Sequence, residues 1–446
     1  MDNVYRYVDA NRERFVEELK ALLRIPSIAR DSEAVRANAL ALEDHLKRVG
    51  FEARLMPSSG NPMVVGERAG TGTTVLLYGH YDVQPAEDTH LWASPPFEPT
   101  ERGGRLYARG VGDNKAQHFA HIKAVEALQA LGVPAARLKF VLEGEEETGS
   151  ESLPGFVREH RALLAADLCY AADGPRHESN RPTIYLGCRG VLGIELTVKG
   201  AAHDVHSGNR GNVVPNPAWR LVQALATMRD GSGRVLIDGF EDGIAPPSEE
   251  ERRMLAALPY DGAKLADQLG IEDLRTLPAA WYHERIQLRP SLNINGLVAG
   301  YTGPGLKTII PHQAAAKIDI RLVVNQEPDA MTALVRRHLD RHGFTDIALH
   351  VHDTMKPART PISNRYVPII VDSVRAAARE EPVVLLSLGG SIPQYALVEA
   401  LGTPCIWSAY ANWDEDNHAP NENMALDLFI QSIKMSASVF HRLAQA

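Results

Sequence analysis

The sequence predicts an α/β fold: a mixed, mostly parallel sheet with helices on both faces, interrupted by a smaller α+β domain. Two patterns predict it. Short apolar runs alternate with helical periodicity through the first half and again near the C-terminus, the order that builds parallel sheets. The middle instead reads β-α-β-β-α-β, a split βαβ (ferredoxin-like) order. The expected division is 1–192 and 359–446 as one body, with 193–358 inserted into it.

The elements follow in order. Phe15, Leu19, Leu22 and Leu23 stand at helical spacing before Pro26. Leu42, Leu46 and Val49 mark a second helix ending at Gly50. TVLLYGHYD is a buried strand. Ala116, Ala120, Ala124, Leu128 and Leu131 mark a helix from about Asn114 to Gly132. LKFVLEG, DLCYAADG and TPCIWSAY supply three more buried strands. In the middle, VLGIELTVKG is a strand and NPAWRLVQALATMRD a helix. LNINGLVAG and QAAAKIDIRLVV are strands, PDAMTALVRRHLDRHG a helix and TDIALHVH a strand. A Pro-, Glu- and Gly-rich stretch near 231–290 interrupts this order after its first helix.

Composition narrows the function. The chain has 446 residues, a net charge of −9 and 3 cysteines. The acidic balance argues against nucleic-acid binding by phosphate neutralisation. Cys169, Cys188 and Cys405 form no CxxC pair, which argues against a thiolate zinc site and a disulfide framework. The charged start, MDNVYRYVDANRERF, is no signal peptide, and no run approaches the ~18 apolar residues of a membrane span. A cytoplasmic location is expected.

The chemistry gathers where strands end, as ligand sites do in α/β sheets. His80-Tyr81-Asp82 follows the first buried strand and Asp113 opens the long helix. Glu143-Gly144-Glu145-Glu146-Glu147 follows the second strand, Asp173 the third and His418 the fourth. Singly each is a weak signal; their coincidence on one rim is a strong one. Imidazole and carboxylate without thiolate suit zinc, or manganese or cobalt. Asp82 can orient His80, or a neighbouring group, as an outer carboxylate. Glu146 and Glu147 are adjacent and point apart, so one can hold metal while the other takes a proton. The two oxygens of Asp113 can bridge two ions, a geometry that activates water and polarises a carbonyl together.

Eight strings carry a resemblance: GHYDVQP (79–85), RGVGDNKAQ (109–117), EGEEETGS (143–150), AADG (171–174), HSGNRGNVVPNP (206–217), IPHQAAAKIDIRL (310–322), GGSIP (389–393) and NHAPNE (417–422). As a set they resemble the M20 family of metallopeptidases, in particular the carnosinase-like cytosolic dipeptidases. The resemblance implies two divalent ions per subunit. His80 and Asp173 would hold one, Glu147 and His418 the other, and Asp113 both. Glu146 would be the general base, Asp82 would orient His80, and the peptide after Asp113 would be cis. The inserted domain would be a lid and dimerisation domain. His206 would reach across a homodimer to the oxyanion, Thr308 would also come from the partner, and Arg321 and Ser391 would bind the carboxylate of a small peptide substrate. The activity implied is dipeptide hydrolysis, with N-acyl (acetyl or succinyl) amino acid hydrolysis as the alternative. Asp173 favours the first.

Other features are read as structural. His118 and His121 lie three apart on one helix without the Glu of a zincin pattern. Cys169 and Cys188 are small core residues. GGRLYARGVG lacks the Lys and spacing of a phosphate loop. Three departures from the family pattern bear on specificity. Asn114 and Leu388 stand where acidic residues are frequent. Asp353, with His352 before it, stands where a lid histidine precedes Lys356-Pro357.

Overall fold

The computed structural model describes residues 1–446. One eight-stranded sheet organises the larger part of the chain. Its order is Glu52–Met56, Met63–Arg68, Ala136–Glu143, Thr71–His80, Leu168–Ala171, Cys405–Ala409, Thr183–Tyr185, Val383–Leu385. The four strands expected from their apolar runs form its centre, mutually parallel. The first two strands join antiparallel, and Thr183–Tyr185 runs antiparallel to Cys405–Ala409. The sheet is therefore mixed with a parallel middle.

Alternation places side chains on both faces, and both faces are covered. Val75 and Leu77 join one apolar cluster; Leu76 and Tyr78 join another. Helices Asp2–Ala10, Arg12–Leu23, Ser32–Arg48, Tyr366–Ala378 and Leu426–Leu443 pack on the first face. Helices Leu153–Glu159 and Gln394–Leu401 pack on the second. Helix Ala116–Ala130 is buried almost all round, because it lies between the sheet and Leu426–Leu443. It begins two residues later than its periodicity predicts, after a turn over Val111–Lys115 that carries Asp113.

A second, antiparallel sheet is built from Ser291–Ala299, Gln313–Leu322, Gly190–Lys199 and Ala348–Met355, in that order. Its alternation is regular. Leu192, Ile194, Leu196 and Val198 face a separate apolar cluster under helices Pro217–Met228 and Pro328–Arg341. Glu195, Asp319 and Arg321 occupy alternate positions on the opposite face. The 231–290 stretch holds three helices that its composition does not announce: Glu249–Ala257, Gly262–Leu269 and Ala279–Leu288. The first starts at a capping box, Ser248 with Glu251, a pattern legible in the sequence. The backbone leaves the large sheet through Gly187–Cys188 and returns through Ala358–Arg359, and these two segments pair antiparallel.

Candidate metal centre

Register explains why the acids and imidazoles meet. His80 pairs with Glu143, Tyr78 with Ala171, and Ala171 with Trp407. The parallel strands therefore end at one level, and the residues just past them share a rim.

His80 closes its strand with no exposed surface. Its Nδ1 lies 3.2 Å from the main-chain oxygen of Asp82 and 3.4 Å from that residue's carboxylate. This fixes the ring and turns Nε2 toward Asp113 Oδ1 at 3.0 Å and Asp173 Oδ2 at 3.8 Å. On the other side, His418 Nε2 lies 3.0 Å from Asp113 Oδ2 and 3.1 Å from Glu147 Oε2. His418 sits in a tight turn at φ 58. Two ligand triads result, His80-Asp113-Asp173 and Asp113-Glu147-His418, with donor atoms in each within 4.8 Å of one another. Asp113 is common to both and offers one oxygen to each. The peptide bond that follows it is cis.

The supports of this arrangement are polar and buried. Asp82 has a second task beyond His80: its carboxylate accepts the N–H groups of Glu146 at 3.2 Å and Glu147 at 3.0 Å. Gln84 Nε2 donates to Glu147 Oε2 at 3.0 Å. Glu422 is wrapped by the turn that carries Asp113. It accepts the N–H groups of Gly110, Gly112 and Asp113 at 2.9 to 3.1 Å, and Arg109 at 2.8 Å.

The charge balance points to cations. Burial, then the negative charges of Asp173, Asp113 and Glu147, push the Glu146 carboxyl well above its usual range, with His80 opposing. Burial, then Asp113, raises Asp173 to about 7. Burial opposes charging of His80, but hydrogen bonds to Asp113 and Asp82 carry it well above the usual imidazole range. Hydrogen bonds to Asp113 and Glu147 lift His418 to about 10. No lysine or arginine pairs with Asp113, Glu146, Glu147 or Asp173; the ionic partners of Asp113, Glu147 and Asp173 are His80 and His418, and Glu146 has none. Buried carboxylates without enough counter-charge make a set that divalent cations neutralise. Oxygen and imidazole donors suit a hard or borderline dication.

Residues 76–446 match the family model described as peptidase family M20/M25/M40. The chain belongs to the M20 peptidase family. Among M20 relatives, the human Beta-Ala-His dipeptidase is 28% identical, covering 100% of this chain and 93% of its own. The Cys-Gly metallodipeptidase dug1 of Schizosaccharomyces pombe is also 28% identical, covering 100% of this chain and 98% of its own. A solved structure of an M20 family metallo-carboxypeptidase, Sso-CP2 from Sulfolobus solfataricus, superposes with a TM-score of 0.90 at 32% identity, over 97% of this chain and 99% of that one.

The remaining M20-type positions fall into two further groups. Arg321 Nη1 donates to Ser391 Oγ at 3.0 Å, across the gap between the second sheet and the GGSIP segment. His206 Nε2 and Thr308 Oγ1 lie 3.5 Å apart. Both are exposed, and no hydrogen bond or ion pair ties either to the metal rim. His118 and His121 are buried, not surface residues. They bond Asn114 Oδ1 at 3.2 Å and Ser436 Oγ at 3.0 Å, facing the interior. All three cysteines are free and buried. The sequence allows Asp82 a neighbouring group besides His80, and Glu146 and Glu147 are that group; Gln84 and Glu422 were not foreseen. Gln84 and Glu422 lie inside GHYDVQP and NHAPNE, but only the folded contacts reveal what they hold.

Proposed function

We propose that this M20 chain hydrolyses dipeptides with two divalent ions, zinc or else manganese or cobalt, and that the activity is not N-acyl amino acid hydrolysis. The observation that carries the reading is Asp113, whose two oxygens each stand 3.0 Å from a different histidine. His80 and Asp173 would hold one ion, Glu147 and His418 the other, with Asp113 shared. Such a pair polarises a carbonyl and acidifies water. Glu146 has no ionic partner, and its raised affinity for protons suits a base that accepts a proton and returns it to the leaving amine. Asp82 positions this base through its N–H as well as holding His80. Arg321 and Ser391 would take the substrate's carboxylate.

The second sheet and its helices, 193–358, would act as lid and dimerisation domain. Its edge strand Ser291–Ala299 exposes Ile294, Leu297 and Val298, and Trp219 of the neighbouring helix is 67% exposed. An edge of this kind is ready to pair with a second copy. A homodimer would let His206 and Thr308 serve the partner's site, which fits their exposure and their lack of any hydrogen bond to the rim of their own chain. The three buried thiols fit a reducing, cytoplasmic setting.

A carboxypeptidase reading has one observation in its favour, the similarity to Sso-CP2. One experiment decides. The protein is stripped, reconstituted with each metal and offered dipeptides, longer peptides, and acetyl- and succinyl-amino acids. Dipeptide turnover that depends on metal is expected. Preferred release of the last residue from longer peptides would favour the second reading, and turnover of acylated amino acids alone would overturn both.

A further inference from the structure

We propose that Arg189 is a second arginine of the carboxylate subsite and supplies its unpaired positive charge, Arg321 being paired with Asp319; this rests on the reading that Arg321 and Ser391 face the substrate's carboxylate. Arg321 is not a free cation: its Nε donates to Asp319 Oδ2 at 2.9 Å. Its charge is largely neutralised within the protein, which leaves it a shaped hydrogen-bond donor. Arg189 is different. Its Nε donates to the main-chain oxygen of Gly389 at 2.9 Å and its Nη1 to that of Arg289 at 3.5 Å, and it has no carboxylate partner. The residue is half-buried. Burial, then the charge of Arg321, pulls its guanidinium down to about 10, with Asp319 opposing.

Register brings the two arginines together. Val191 lies opposite Arg321, so Arg189, two residues earlier, is the diagonal neighbour of Arg321, within reach of a long side chain. Both guanidiniums grip the same segment. Arg189 holds Gly389, and Arg321 holds Ser391 two residues on. Gly389 and Gly390 put no side chain between them, and a Cβ on Gly389 would stand 3.6 Å from Arg189 Nη2. Two arginines against one aspartate leave one positive charge unmatched. A half-buried cation beside another cation is costly unless an anion visits. A single terminal carboxylate matches that charge, and two donor forks match its two oxygens.

The test compares each substrate with its C-terminal amide. The wild type should prefer the free acid. Arg189→Gln keeps a donor toward Gly389 but removes the charge. It should raise KM for the free dipeptide about 10- to 100-fold, leave kcat near wild type and change turnover of the amide less than about threefold. Arg189→Lys should recover part of the loss, since it restores charge without the fork. It also serves as the reading if Arg189→Gln does not fold. Equal losses on acid and amide would overturn the proposal by showing a structural role. A wild type indifferent to amidation would instead overturn the carboxylate reading of Arg321 itself, and this proposal with it.

Discussion

At the scale of residues, the site depends on groups that never touch an ion. Glu422 organises the turn carrying Asp113 through three main-chain N–H groups. Glu422→Ala leaves those buried donors unpaired. Metal affinity should fall by about 10- to 100-fold, read by titration of the stripped protein, while the far-ultraviolet circular dichroism is unchanged. Glu146→Ala should behave in the opposite way, retaining its metal content and losing about 10²- to 10⁴-fold in kcat. Retained turnover would refute the base assignment. The residues proposed as ligands were legible because His80, Glu147, Asp173 and His418 come after buried-strand runs and Asp113 stands at the start of a strongly periodic helix. The supports were not, since a lone Gln84 or Glu422 carries no pattern of its own. Their meaning lies in which N–H or oxygen the fold brings within 3 Å.

At the scale of elements, close approach sets the constraints. A Cβ on Gly79 would stand 2.6 Å from the Cβ of His118, so the strand ending at His80 and helix Ala116–Ala130 meet where only glycine fits. Gly79→Ala should cost about 1–3 kcal/mol in a denaturant titration. Helix Ser32–Arg48 carries a pH-dependent contribution. Burial, then Lys123 and Arg48, lowers the His45 imidazole to about 4. The unfolded chain binds this proton near 6.5 and the folded chain refuses it. Stability should thus be lost as pH falls from about 6.5 to about 4, with a slope approaching ~1.4 kcal/mol per unit pH. His45→Gln should flatten that part of a melting-temperature profile. Long apolar runs and strong periodicity made the central strands and main helices legible. The short outer strands Thr183–Tyr185 and Val383–Leu385 were not, nor were the helices of 231–290 beyond the capping box at Ser248. Three residues hold no period, and the helices are masked by the prolines and glycines between them.

At the scale of the whole molecule, two copies would complete one site. If His206 serves the partner, mixing Glu146→Ala subunits with His206→Ala subunits should restore activity that neither has alone. Random reassortment would restore up to about a quarter of sites, those pairing an intact Glu146 with an intact His206. Val298→Asp should shift the sedimentation coefficient toward a monomer and abolish that complementation. The narrow crossing between the two sheets has a further consequence. Outgoing Gly187–Cys188 and returning Ala358–Arg359 run side by side; a Cβ on Gly187 would strike the main chain of Ala358, and one on Gly190 that of Met355, at the end of the preceding strand. The inserted segment therefore leaves and returns as a double cord, as a module does when one gene is spliced into another, and it also leans on the larger body through Leu255 and Gln287 of its helices. Cutting the chain after Arg189, rejoining it at Pro357 through a short turn and discarding what lies between should leave a mini-protein that still binds metal and no longer turns over peptide.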